Sequence, residues 1–154
     1  MALGRIDDLY RDAILDHRRN PRNHEPLSSP DIVGEAINPF CGDEIHLQMN
    51  IDADRRVIAV GLQGEGCSIV IAAGSILAEA VQGKDFDEID TLVALCRKMM
   101  QGDTEAEEAL FHEGDLANLA GVRDYPIRIK CALLPLSALT QAMQSYRSSV
   151  SIKG

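Results

Sequence analysis

The stretch from Ile45 to Gln63 constrains this chain's fold most. Ile45, Leu47, Met49 and Ile51 alternate with His46, Gln48 and Asn50, the period of a strand with one buried face. Asp52-Ala53-Asp54-Arg55 supplies turn residues, and an apolar run resumes from Val57 to Gln63. Two such runs joined by a short polar turn predict an antiparallel hairpin. On the second run, strict alternation places Val57, Ala59 and Gly61 on one face and Ile58, Val60 and Leu62 on the other. Ile32 to Ile37 reads as a further short strand.

The remaining periodic segments are helical. Ile6, Leu9, Tyr10, Ala13, Ile14 and His17 recur at spacings of three and four, and Asn20-Pro21-Arg22-Asn23 ends that helix with turn chemistry. Ser68 to Gln82 is apolar on nearly every side, as a buried helix is. Asp87 to Gln101 is amphipathic, with Ile89, Leu92, Val93, Cys96, Met99 and Met100 as its stripe. Glu105 to His112 and Gly114 to Gly121 read as short helical pieces. Pro126 suits the first turn of a last helix running to about Tyr146, because its missing N–H would go unpaired there anyway. The order predicts an α+β fold, a small three-stranded antiparallel sheet with helices packed on one face, in a single domain over residues 1–154.

Composition excludes several function classes. A net charge of −9 and an aromatic content of 4% with no Trp argue against nucleic acid, which needs a basic footprint or stacking platforms. The most apolar stretch, Cys67 to Val81, includes Ser68, Gly74, Ser75 and Glu79, so no membrane span is expected. The N-terminus lacks the basic-then-apolar pattern of a signal peptide, which predicts a cytoplasmic protein. In that reducing compartment Cys41, Cys67, Cys96 and Cys131 stay free unless they bind metal or do chemistry.

Cys41, Cys67 and Cys131 each sit at a structural breakpoint. Cys41 precedes Gly42-Asp43, Cys67 opens a helix, and Cys131 lies near the start of the last helix. A helix N-terminus favours thiolate, the form that binds metal and attacks sulfur. The spacings lack the paired Cys-x2-Cys of a zinc ribbon, so three separate buried thiols and one shared site both remain open. Asp43 is either a turn residue or a ligand sharing a metal with Cys41; three thiolates and one carboxylate would complete a tetrahedral zinc shell. Cys96 lies within the apolar stripe and reads as a core thiol. Arg128, one helical turn before Cys131, is a surface arginine, a group that lowers the thiol pKa, or a metal-free partner of Asp43. His17, His24, His46 and His112 are scattered and read as non-ligands. Arg18, Arg19 and Arg22 form a solvated basic face that could also dock an acidic partner.

At Asn38-Pro39-Phe40-Cys41-Gly42-Asp43, Gly64-Glu65-Gly66-Cys67-Ser68-Ile69 and Arg128-Ile129-Lys130-Cys131-Ala132 the chain resembles the U-type iron–sulfur cluster assembly family. Leu9-Tyr10-Arg11, Asp16-His17 and Asn20-Pro21-Arg22-Asn23 resemble its N-terminal segment, so the likeness spans about residues 6–146. The long separation of Cys67 from Cys131, Lys130 where the housekeeping scaffolds carry His, and Arg128 resemble the SufU branch. Pro135 departs from that pattern: it lacks the N–H that would bond the Cys131 carbonyl, which predicts a local kink.

The resemblance implies a SufE/NifU-like fold and zinc held by Cys41, Asp43, Cys67 and Cys131. It implies sulfur transfer from a SufS-type cysteine desulfurase, with Cys41 as the persulfide acceptor and Arg128 tuning the thiols. A desulfurase histidine would take the place of Cys41 on zinc, freeing that thiolate. A downstream cluster scaffold or apo-protein acceptors would receive the sulfur. The alternative function is a scaffold on which a [2Fe–2S] or [4Fe–4S] cluster, held by the same residues, is built and handed on. A zinc-stabilised structural protein is the third reading.

Overall fold

The computed structural model describes residues 12–39 and 42–153, with side chains to residue 150. Residues 12–19 form helix α1; the earlier part of the expected first helix lies outside the described residues. Asn20 N–H bonds the Asp16 carbonyl at 2.8 Å, and Asn23 takes a left-handed turn at φ 58°. The loop that follows fastens to the sheet: Leu62 N–H donates to the Asn23 carbonyl at 2.7 Å, and Leu27 N–H to Gln48 Oε1 at 3.1 Å.

Strands β1 (Ile32–Asn38), β2 (Asp43–Ile51) and β3 (Val57–Glu65) form an antiparallel sheet in the order β1-β2-β3. The predicted hairpin is β2–β3, closed by Asp52, whose Oδ1 accepts from Asp54 and Arg56 N–H. The strict alternation expected for β3 is wrong. Ile51 pairs with Val57 and Asn50 with Ala59, so Ile58 is a bulge residue. The bulge lets Val57, Val60 and Leu62 all face inward while Ile58 is exposed. The strand also runs through Gly64 to Glu65, beyond the expected break.

Ile45, Leu47 and Met49 of β2 are buried beneath helices α2 (Ser68–Val81) and α5 (Pro126–Lys153). Helix α5 crosses β1 closely: a Cβ on Gly34 would lie 2.7 Å from the Ala138 carbonyl oxygen. Burial at this crossing, at roughly 25 cal/mol per Å² of apolar surface, is what binds the helical layer to the sheet. Helix α3 (Phe86–Met100) starts at a capping box in which Asp85 and Glu88 satisfy each other's backbone N–H. It buries Ile89, Leu92, Cys96, Met99 and Met100 of the expected stripe, while Val93 is only half-buried.

Helix α4 (Thr104–Ala109) and 3-10 turns at Leu110–His112 and Leu116–Asp124 complete the helical layer. Arg123 binds that segment down, donating to the Met99 carbonyl at 3.1 Å and Glu107 at 2.8 Å. Helix α5 begins at Pro126 and continues past the expected end near Tyr146, with Pro135 in its interior. No described helix is long and apolar enough to cross a membrane.

Candidate metal centre

Three of the predicted ligands converge. One donor atom each from Asp43, Cys67 and Cys131 lies within 4.8 Å of the other two. Each comes from the start of a different element. Asp43 opens β2, Cys67 is the N-cap of α2, and Cys131 sits in the second turn of α5. Cys41 lies outside the described residues. In the sequence it stands two residues before Asp43.

Asp43 organises the cluster. It is 1% exposed, its Oδ1 accepts the Cys67 N–H at 3.1 Å, and its Oδ2 accepts the Cys131 thiol at 3.4 Å. The first bond satisfies a donor at the opening of α2 that has no side-chain cap. Gly66 makes it possible. Its φ is +136°, which L side chains rarely adopt, and a Cβ there would lie 2.8 Å from Asp43 Cγ. The carboxylate therefore occupies space that only glycine leaves.

Burial, then the Cys67 thiol and Asp43, push the Cys131 thiol up to about 12. Cys131 is 2% exposed, and desolvation is the largest cause of that rise. Cys67 is half-buried. Arg128 is exposed, and the charge of Cys67 followed by a hydrogen bond to Cys131 raises its pKa above the usual guanidinium value. Its partners are thus the two thiols; among the described residues no ion pair joins it to Asp43.

The donor set fits a thiophilic divalent cation. A buried carboxylate beside two thiols gathers three acidic groups where a second or third negative charge is costly without a cation. Zinc accepts sulfur and carboxylate oxygen together, and a carboxylate oxygen of Asp43 and the two Sγ atoms lie within 4.8 Å of one another. Cys96 is 1% exposed and buried among apolar side chains, as expected, and is not part of the cluster.

A second cluster escaped the sequence reading. His17 is fully buried, with Nδ1 at 2.8 Å from Ser75 Oγ and Nε2 at 2.8 Å from Asp115 Oδ2. Ser75 Oγ also accepts the Arg22 N–H at 2.8 Å. Donor atoms of His17, Glu79 and Asp115 lie within 4.8 Å of one another. Both imidazole nitrogens are already bonded, and Arg22 approaches Glu79 at 3.9 Å, so the cluster ties α1 to α2 and the Leu116–Asp124 turn. His17 belongs to the apolar stripe of its helix, and nothing in the sequence pairs it with residues so far along the chain. His46 lies on the outer sheet face near Glu35 and Glu44, as its alternation predicts.

Known proteins resemble this chain in sequence and in fold. The chain is 41% identical over 138 residues to the Bacillus subtilis protein named zinc-dependent sulfurtransferase SufU, covering 90% of this chain and 91% of that one. It is 35% identical over 144 residues to a Streptococcus pyogenes protein named iron–sulfur cluster assembly scaffold protein IscU, covering 94% and 88%. Among solved structures it resembles the FiSufU protein of Fervidobacterium islandicum, with a TM-score of 0.74, 30% identity, and 84% and 93% of the two chains covered. The model of the NifU-like N terminal domain matches residues 9–132, the span that includes Asp43, Cys67 and Cys131, and the chain belongs to that family.

Proposed function

We propose that the chain is a zinc-dependent sulfurtransferase of iron–sulfur cluster assembly, acting as one domain in the cytoplasm. The observation that carries this reading is the convergence of Asp43, Cys67 and Cys131 in a relative of the zinc-dependent sulfurtransferase SufU. Cys41, Asp43, Cys67 and Cys131 would hold the zinc. When bound, zinc keeps the thiols deprotonated and masks them from stray oxidants.

The donor of sulfur in this reading is a SufS-type cysteine desulfurase carrying a persulfide. The Cys41 thiolate attacks the outer sulfur of that persulfide. The donor's S–S bond breaks as the new S–S bond to Cys41 forms, and the donor leaves as thiolate, so the exchange needs no outside oxidant or reductant. Asp43 holds the opening of α2, and with it Cys67, in place. Arg128 balances the negative charge of the thiols it touches. The sulfur then passes to a cluster scaffold or an apo-protein acceptor.

A second reading has its own support in the Streptococcus pyogenes relative named as an IscU scaffold. The same donors would then carry a [2Fe–2S] or [4Fe–4S] cluster. One experiment separates the two: desulfurase turnover with and without this protein, with metal measured on the same sample. A colourless protein holding about one zinc that speeds turnover supports sulfur transfer. A brown protein that passes its cluster intact to an apo-acceptor supports the scaffold. Full stimulation by Cys41→Ala would overturn the role given to Cys41.

A further inference from the structure

Helix α5 runs unbroken from Pro126 to Lys153 although Pro135 lies inside it. A prolyl nitrogen carries no hydrogen, so the Cys131 carbonyl, one turn earlier, lacks the helical bond that residue 135 would otherwise give it. The proline ring also crowds that carbonyl. Such a residue is costly in a helix interior, and this one is buried one turn after a candidate ligand.

The helix is held differently on the two sides of Pro135. Beyond it, Ala138, Leu139 and Ala142 are fully buried. A Cβ on Gly34 of β1 would lie 2.7 Å from the Ala138 carbonyl oxygen, so strand and helix are in close backbone contact. Gln141 Oε1 accepts the Glu35 N–H at 3.0 Å. Arg147 donates to Asp90 at 2.8 Å and stands over the Phe86 ring. This half is fixed to β1 and α3. Ahead of Pro135, the residues Pro126, Arg128 and Lys130 are exposed, and Ile127 is 79% exposed. Ile129, Leu133 and Leu134 are only half-buried. Cys131 and Ala132 are buried, and Cys131 reaches Asp43 at 3.4 Å. A helix end with few buried side chains opens at lower cost than the core it joins, and the missing bond at Cys131 lowers that cost further.

We propose that Pro135 is a positioning residue for Cys131: it makes Pro126 to Leu134 an arm that swings on the anchored half of α5, exposing Cys131 when open and returning it to Asp43 and Cys67 when closed. Asp43 and Cys67 stay behind, tied by the 3.1 Å bond from the Cys67 N–H to Asp43 Oδ1. Exposure of Cys131 is a property of the metal-free chain. Its consequence, that an ion enters and leaves on the Cys131 side, rests on the zinc-dependent function proposed for this chain.

The test follows Cys131 first without metal. The reduced, chelator-treated full chain is alkylated with iodoacetamide under native conditions, and each thiol is followed by peptide mass. Cys131 should react faster than Cys96, which is as deeply buried but lies in α3, outside the arm. Pro135→Ala restores the N–H and should slow alkylation of Cys131 by about fivefold, the worth of one backbone hydrogen bond, with Cys67 and Cys96 unchanged. Pro135→Leu restores the same N–H with a larger side chain and serves if the alanine variant packs poorly. Ser148→Ala, an exposed helix-favouring change on the anchored half, is the control and should leave the Cys131 rate unchanged. In the zinc-loaded protein, release of zinc to excess chromophoric chelator should slow by a similar factor in the Pro135 variants. The proposal falls if Cys131 reacts no faster than Cys96, if neither Pro135 variant slows it, or if Ser148→Ala slows it as much. Slowed alkylation with unchanged zinc release would overturn the ion path on the Cys131 side and support the arm. Slowed alkylation in a chain that binds no zinc would overturn the zinc-dependent function and support the arm.

Discussion

Cys96 and Cys131 are almost equally buried, at 1% and 2% exposure, and burial pushes both thiols up to about 12. Their surroundings differ. Cys96 is packed in the apolar stripe of α3. Cys131 donates to Asp43 and lies beside Cys67 and Arg128. Desolvation alone therefore yields an inert core thiol; a carboxylate and a second thiol within reach turn a thiol of the same burial into a candidate ligand. Neither burial nor pKa tells the two apart, and the polar neighbours do.

The sharpest way to break this comparison is to remove each sulfur in turn. Cys131→Ala should weaken zinc binding by more than the ~10–100-fold that loss of an outer partner costs, read by competition with a chromophoric chelator. Cys96→Ala should leave zinc affinity unchanged and cost roughly 1–3 kcal/mol in denaturant unfolding, as a small core truncation does. Equal loss of zinc in both variants would end the distinction.

Gly66→Ala tests how the ligand side is held together. It forces a left-handed backbone on alanine and crowds Asp43, so zinc affinity should fall by about 10–100-fold, the range for a supporting residue. The same change at Gly83, whose φ is +81° with open space around it, should cost about 1 kcal/mol of stability and no zinc.

A buried polar cluster that holds structure rather than metal gives a third contrast. His17→Ala leaves Asp115 and Ser75 without their imidazole partner and should cost about 2–4 kcal/mol in chemical denaturation. Zinc content should not change; if it falls with stability restored by an osmolyte, α1 takes part in the metal site.

The last contrast appears only at alkaline pH. A cysteine thiol in water ordinarily titrates near 9.0, and burial pushes that of Cys96 up to about 12 in the fold. Between those values the unfolded chain has lost a proton that the folded chain keeps. Stability is therefore full below pH 9 and falls above it, by at most about 1.4 kcal/mol per pH unit. Cys96→Ala should flatten that slope in pH-dependent unfolding of the zinc-loaded protein; an unchanged slope would mean Cys96 is not its source.

Local periodicity made much of this architecture readable. The β2–β3 hairpin, the stripe of α3 and the start of α5 at Pro126 follow from side-chain spacing that each segment carries within itself. The bulge at Ile58 was not readable, because it depends on how β3 registers against Asn50 and Ile51. Cys67 and Cys131 drew attention through their places at helix starts, but their spacing left open whether they meet.

By itself the sequence determined which segments are strands and helices, and which residue types stand at their ends, because propensity and burial periodicity act over a few neighbours. The tertiary structure alone decided that Asp43, Cys67 and Cys131 face one point, that Arg128 turns to the thiols, and that His17 reaches Asp115 across the helical layer. Those outcomes depend on the packing of α2 and α5 against the sheet. Long-range packing is set by the fit of whole surfaces, which no short window of residues contains.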